Sequence, residues 1–257
     1  MSARSSNGSG RCVRIAAAGD LHCDAERGPS LAASVAELDG EADLLLLAGD
    51  LTTLGEPEQV APLADACAGL EIPVVAVLGN HDWHADRAGE LTSSLQAAGV
   101  RVLERAACIC ETAGVKVGVV GLKGFVGGFA GSHLPDFGEP LLRDVYAETT
   151  RDVEALEAGL REIELCPLRI VLLHYAPSES TLEGEPPGIS FFLGNDRLAA
   201  PIAQHEPDLV LHGHAHAGTF EGAIGATPVY NVAVPVTGRD FWRFELDAPL
   251  AGGVPIH

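Results

Sequence analysis

Gly79-Asn80-His81-Asp82-Trp83-His84 follows directly on the run Ile72-Pro73-Val74-Val75-Ala76-Val77-Leu78. The run has the length and β-branched content of a strand buried on both faces. The polar cluster therefore sits at a strand's carboxyl end. In open α/β sheets ligands bind at that edge, and a glycine at the turn lets the backbone come close to whatever is bound. An amide, an imidazole and a carboxylate in three consecutive positions are costly to bury unless they ligate a metal or do chemistry. Alone, the hexapeptide also reads as a polar helix start with a histidine beside it. Repetition of the same design elsewhere in the chain decides against that.

On the amino-terminal side, an apolar strand over 13–18 ends in Gly19-Asp20-Leu21-His22. A second buried strand over 43–48 ends in Gly49-Asp50. Helical spacing over 30–38, 57–70 (proline near the first turn) and about 86–98 alternates with these strands, which argues for parallel βαβ units. Beyond them, 100–103, 107–111 and 115–121 read as short strands, with Ala113-Gly114 as a hairpin turn. A glycine-rich irregular stretch over 123–143 precedes a charged helix over 144–165. A loop of that length is more often functional or mobile than merely connective. The strand over 168–173 ends in His174, a loop spans 177–194, and a helix follows at about 196–205. A strand over 208–211 runs into His212-Gly213-His214-Ala215-His216. Segments 218–224, 227–232 and 241–246 read as antiparallel strands closing a sheet. With no fixed-period repeat and no linker, the expectation is one domain over 12–248, between a disordered leader at 1–11 and a tail at 249–257. Its economical architecture is a two-layered sheet core with flanking helices.

Composition narrows the function. Lys+Arg is 16 against Asp+Glu 36 in 257 residues, a formal charge of −20. Such a field repels nucleic acid and anionic membrane surfaces. A small anionic substrate needs a local positive focus, which bound cations can supply. No apolar run approaches a membrane span, and the first ten residues lack a hydrophobic signal region, so a cytoplasmic protein is expected. The 6 cysteines are scattered, as in a reducing compartment, and form neither a disulfide framework nor a zinc pair. Cys23, beside His22, is the one thiol placed to be oxidisable. Composition fixes no oligomeric state.

The metal-competent residues all follow buried strands: Asp20 and His22; Asp50; Asn80, His81 and Asp82; His174; His214 and His216. Carboxylates, imidazoles and an amide oxygen, without thiolates, suit Mn, Fe, Zn or Ni better than a structural zinc site. The set exceeds what one cation can use, so two divalent ions are expected. A carboxylate can bridge them, and ions about 3.5–4 Å apart can clamp the attacking and leaving oxygens of an in-line displacement.

Read in order, Gly19-Asp20-Leu21-His22, Gly49-Asp50, Gly79-Asn80-His81-Asp82, His174 and Gly213-His214-Ala215-His216 resemble the motifs of the calcineurin-like dinuclear metallophosphoesterases. The resemblance runs over about 13–216. It implies a four-layer αββα sandwich of two mixed sheets flanked by helices. It implies a first metal on Asp20, His22, Asp50 and His216, and a second on Asp50, Asn80, His174 and His214, with Asp50 as the bridge. His81 would face the substrate phosphate, oriented by Asp82, and a metal-bridging hydroxide would be the nucleophile.

The Asp-x-His first motif and short length resemble the small phosphodiesterase branch. The fourth motif, His174-Tyr175-Ala176-Pro177, departs from the second histidine or His-Pro-Pro run of many cyclic-nucleotide enzymes of the family, which argues against cyclic AMP. The expected function is hydrolysis of a small phosphodiester. A phosphomonoesterase, a nuclease of the same fold and a catalytically silent metal-binding scaffold are the alternatives. The acidic charge and an aromatic content of 5% speak against the nuclease. His84 and His212 read as supporting donors or structure, and His133 as an exposed loop residue. Lys123, Arg143, Arg197 and Arg239 could bind phosphate, with nothing in their spacing to select one.

Overall fold

In a computed structural model, residues 11–186 and 188–249 are described. The expected leader up to residue 10, the tail from 250 and His257 lie outside the described residues. The first sheet contains β1 (Arg11–Ala18), β2 (Leu44–Ala48), β3 (Val74–Val77), β4 (Arg101–Val102) and β11 (Trp242–Ala248), in the order β11-β1-β2-β3-β4. The second contains β5 (Ala106–Thr112), β6 (Val115–Leu122), β7 (Leu168–Leu173), β8 (Leu209–His212), β9 (Glu221–Ile224) and β10 (Thr227–Asn231), in the order β5-β6-β7-β8-β10-β9. Both sheets are mixed: β1 to β4 run parallel with β11 antiparallel, and β6, β7, β8 and β10 run parallel with antiparallel β5 and β9 at the edges.

The apolar runs are continuous because each strand serves two cores. Ile15, Ala17, Leu44, Leu46, Val75 and Val77 face the second sheet and meet Val117, Val119, Ile170, Leu172 and Leu211. Their alternates Ala16, Ala18, Leu45, Leu47 and Ala76 face helices α1 (Gly28–Ala36), α2 (Pro57–Ala68) and α3 (Ala88–Ala97). On the far side, Val120, Leu122, Val171, Leu173 and Val210 pack under α4 (Pro140–Glu162) and α6 (Ala199–His205), through Leu156, Leu160 and Ile202. With an alternation period of two, every residue of such a strand is interior. Two mixed sheets flanked by helices are thus the architecture.

The structure corrects the carboxyl-terminal third. β10 is parallel to β8, with only β9 antiparallel to it, and β11 leaves that sheet to pair with β1 from Arg11↔Ala248 to Ala17↔Trp242. Arg11, placed in the leader by sequence, is therefore the first residue of β1. The crossing is fastened by aromatic contact between the sheets: Tyr230 and Phe244 stand 4.9 Å apart and Phe220 and Trp242 4.4 Å. Sequence periodicity cannot see it, because alternation identifies a strand but not its partner. Helix α4 begins at Pro140, four residues before the expected start, with the proline in the first turn where its missing N–H costs nothing. The loop over 177–194 holds α5 (Ser190–Leu193).

The entry to both β1 and β2 is held by one ion pair. Arg14 forks onto Asp43, with Nη2 2.8 Å from Oδ1 and Nε 3.0 Å from Oδ2, and the Arg14 backbone N–H donates to the same carboxylate at 2.8 Å. These bonds hold the Asp43 carboxyl below its ordinary value of 3.8. A folded value below the unfolded one gives stability that is present above pH 3.8 and is lost as pH falls through the folded value. Asp43→Asn is expected to cost about 1 kcal/mol at pH 7, the exposed fork being screened by solvent. Urea unfolding from pH 7 down to pH 3 checks it: the variant should lose less stability on acidification than the parent.

Candidate functional site

The residues that follow β1, β2, β3, β7 and β8 meet at one edge. Backbone bonds knit the turns together: Asp20 N–H to Gly49 O at 2.9 Å, His22 N–H to Asp50 O at 2.9 Å, and Gly213 N–H to His174 O at 3.1 Å. Asp20, His22, Asp50 and His214 all adopt positive φ, between 46° and 68°, a region costly for non-glycine residues. Strain of that kind persists only where the surrounding fold enforces it, and it concentrates at functional sites. Two glycines are required by close approach. A Cβ on Gly79 would lie 2.1 Å from Asp50 Oδ1, and one on Gly213 2.3 Å from Asp20 Oδ2. Gly79→Ala is therefore expected to push the Asp50 carboxylate aside and lower bound metal below half of the wild-type content by elemental analysis. Wild-type metal content in a folded Gly79→Ala protein would contradict the close approach.

Three overlapping groups could each hold a cation, with their ligand atoms mutually within 4.8 Å: Asp20, His22 and His216; His22, Asp50 and His81; Asp50, His174 and His214. Two residues, His22 and Asp50, each belong to two of them, and Asp50 is the carboxylate that does so. Its Oδ2 is 3.9 Å from His22 Nε2, while its Oδ1 is 3.3 Å from His174 Nε2. Asp20 Oδ1 is 2.8 Å from His216 Nε2. Backbone carbonyls orient the rings. His174 Nδ1–H donates to Ala48 O at 2.9 Å, which leaves the Nε2 lone pair facing Asn80 Oδ1 at 2.9 Å and Asp50 Oδ1. His214 Nε2–H donates to Phe192 O at 3.0 Å and leaves Nδ1 free. Lone pairs of nitrogen and oxygen converging on one point repel unless a cation lies between them. The donor set, carbonyl-oriented imidazoles with carboxylates 1% exposed, therefore fits divalent metal ions.

Electrostatics agree with that fit. Burial pushes His214 down to about 3 and also lowers His22, so both rings are neutral with lone pairs available. Burial raises Asp20, but the bond from His216 and the charge of His174 outweigh it and hold Asp20 below its ordinary value. The same bond to Asp20 raises His216. No arginine ion-pairs with any of these residues among the described ones.

Asp82 is corrected. It was expected to orient His81, but its buried carboxylate turns the other way. It accepts from the N–H groups of Leu51 at 3.1 Å, Thr52 at 2.8 Å and Gly79 at 2.8 Å, and from Thr52 Oγ1 at 2.8 Å. Asp82 thus clamps the turn after β2 to the turn after β3. The imidazole of His81 is held instead by Thr53 O, 2.8 Å from Nδ1, and its Nε2 faces the site 3.9 Å from Asp50 Oδ2. Thr53, Ala48 and Phe192 act through backbone carbonyls, which leave no mark in side-chain chemistry.

The neighbouring residues separate in the same way. His84 rests on His81 with ring centroids 4.4 Å apart. His212 is buried between Thr181 Oγ1 and Gly213 O, both at 2.8 Å, and burial pushes it down to about 4, so it is a neutral structural residue. His133 pairs with Asp196 at 2.8 Å. Cys23 is fully buried and its thiol is raised by burial, which makes it a packing residue rather than an oxidisable one. Arg197 is tied to Thr149 and Thr150 of α4, and Arg239 lies over Trp242. Of the four basic candidates, Lys123 lines a cavity that also contains Asn80.

A model of the calcineurin-like phosphoesterase family matches residues 13–218. No curated protein matches the chain by sequence. Among solved structures, the chain is similar to the phosphopantetheinyl hydrolase of Mycobacterium tuberculosis, with 16% identity over 88% of this chain and 91% of that one and a TM-score of 0.65. It is similar to a putative 5′-nucleotidase of Staphylococcus aureus, with 18% identity over 86% of this chain and 48% of that one and a TM-score of 0.55. The purple acid phosphatase of yellow lupin (Lupinus luteus) seeds shares 15% identity over 86% of this chain and 44% of that one, with a TM-score of 0.52. At these identities the likeness is one of fold. With the family match covering most of the sequence and the acceptor cluster at the strand ends, the chain belongs to the calcineurin-like phosphoesterases and is a metal-dependent phosphoesterase.

Proposed function

We propose that the protein hydrolyses small phosphodiesters with two divalent cations, Mn, Fe or Zn. One would be held by Asp20, His22, Asp50 and His216, the other by Asp50, Asn80, His174 and His214. The observation that carries this reading is Asp50, whose two oxygens face opposite histidine groups, Oδ2 toward His22 and Oδ1 toward His174. When bound, such a pair lowers the pKa of water toward neutrality and neutralises charge on the phosphoryl oxygens. The chain's own residues do the rest. Ala48 O and Phe192 O fix the ring tautomers of His174 and His214. Thr53 O holds His81 so that Nε2 would point at the phosphoryl group, where the ring would give a hydrogen bond or pass a proton to the leaving alkoxide.

A diester rather than a monoester is favoured by charge. A dianionic monoester is best met by guanidinium forks, and none pairs with the cluster among the described residues. The charge of −20 keeps nucleic acid a poor substrate. The unpaired cysteines favour a reducing, cytoplasmic setting, and no helix among the described residues is long and apolar enough to cross a membrane. The test compares bis(p-nitrophenyl) phosphate with p-nitrophenyl phosphate under defined Mn, Fe or Zn. The diester should show the larger kcat/KM. A preference for the monoester makes this a phosphomonoesterase, and failure on both with metal bound makes it a scaffold.

A further inference from the structure

A cavity of about 410 Å³ opens beside Asn80, and none of its other lining residues is one of the positions proposed to hold metal. The volume lies within the range of small-molecule sites. Aromatic rings from three separate segments wall it: Trp83 from the turn after β3, Phe125 from the glycine-rich loop, and Tyr175 just past β7. Tyr175 is also the partition with the metal site, its ring 4.3 Å from that of His214 and 5.5 Å from that of His174. Trp83 is 46% exposed, so a large aromatic side chain at the cavity wall is only partly covered by the protein. Lys123 enters between the other two rings, with Nζ 4.6 Å from the centroid of Phe125 and 5.1 Å from that of Tyr175. Its bond within the chain runs to Gly124 O at 3.0 Å, which leaves ammonium donors for a ligand. Arg105, also at the wall, is already committed, with Nε 2.7 Å from Asp152 Oδ1 and a second contact to Glu148.

These features discriminate between chemical classes. Lys123 and Arg105 are matched by Glu104 and Glu148 on the same walls, so the cavity has no excess positive charge for a second anionic group. A saturated chain would fill the space yet leave an ammonium and a carboxylate desolvated without partners. A flat, uncharged ring with acceptors and donors on its rim stacks on the aromatic walls and satisfies Lys123 and Glu104 together. We infer that this cavity is the subsite for the organic arm of the substrate, and that the arm carries a planar heteroaromatic group of the nucleobase type. The inference rests on the phosphodiesterase reading for its place in the reaction, although binding at the cavity does not require turnover.

The experiment uses the full chain with Mn. Hydrolysis of the methyl ester of adenosine 5′-monophosphate is compared with that of the methyl ester of ribose 5-phosphate by phosphorus NMR, two diesters that differ only in the base. The base-bearing ester should have the higher kcat/KM. The ratio should fall on the order of tenfold in Trp83→Ala and in Phe125→Ala, the scale of one lost stacking contact. In parallel, adenosine alone should quench tryptophan fluorescence of the wild type and not of Phe125→Ala. Equal turnover of the two esters, or an undiminished ratio in both variants, overturns the inference. If neither ester turns over but adenosine still binds in a Phe125-dependent way, the subsite stands and the phosphodiesterase reading fails. If adenosine does not bind either, the subsite fails as well.

Discussion

Asp50→Ala is expected to lose bound metal and turnover together. The carboxylate is 1% exposed, accepts the His81 backbone N–H at 2.8 Å, and is the one carboxylate that belongs to two of the three groups able to hold a cation. Removing it takes a ligand from both proposed cations at once, while His22 and His174 keep their positions through backbone contacts that do not involve the Asp50 side chain. Metal content should fall from the proposed two ions per chain toward one or none. A pair of cations supplies several kcal/mol of charge stabilisation to phosphoryl transfer, and losing several kcal/mol lowers the rate roughly 10³- to 10⁴-fold. The fold should survive, because the alanine removes a buried carboxylate whose basic partners among the described residues are histidines. Elemental analysis and kcat/KM on the same preparation decide the matter. Full metal occupancy in a folded variant would remove the bridging role.

His81→Ala has the second largest expected effect, and a different pattern. Among the described residues the ring's hydrogen bond is to Thr53 O at Nδ1, and the bond that His81 gives to Asp50 comes from its backbone N–H. The alanine variant keeps that N–H, so the metals should stay at wild-type content. Turnover should fall about 10²- to 10⁴-fold, the usual worth of a positioned acid or base. The loss should be greater for an alkyl diester, whose leaving alkoxide needs a proton, than for a p-nitrophenyl diester, whose leaving group does not. Equal losses on the two would assign His81 to holding the phosphate rather than delivering a proton. Loss of metal in His81→Ala would make it a ligand, as its place in the group with His22 and Asp50 allows.

The contrast between His81 and Asp82 shows where sequence reading stops. Both lie in one hexapeptide, and side-chain type alone made them partners. In the fold the short turn at His81–Trp83 sends them in opposite directions, one toward the site and the other onto the N–H groups of Leu51, Thr52 and Gly79. The nine metal-competent positions, Asp20, His22, Asp50, Asn80, His81, Asp82, His174, His214 and His216, could be named beforehand because each follows a legible strand, whereas the choice of seven of them as ligands came from the family resemblance. An apolar run of fixed period is local information, and so is the glycine that lets a turn pass close to a ligand. Lys123 differs from Arg143, Arg197 and Arg239 only through what lies around it.

The amino-acid order by itself determined which segments are strands buried on both faces, where each one ends, and which side chains stand at those ends. Hydrophobic period and residue chemistry act over a few neighbours, so they can be read from a few neighbours. Only the tertiary structure decided that β11 crosses to β1, that Ala48, Thr53 and Phe192 carbonyls fix the histidine tautomers, and that Trp83, Phe125 and Tyr175 wall a single cavity. Each of those depends on groups brought together from distant parts of the chain by packing of one sheet on the other. No local pattern encodes which distant carbonyl a ring nitrogen will meet.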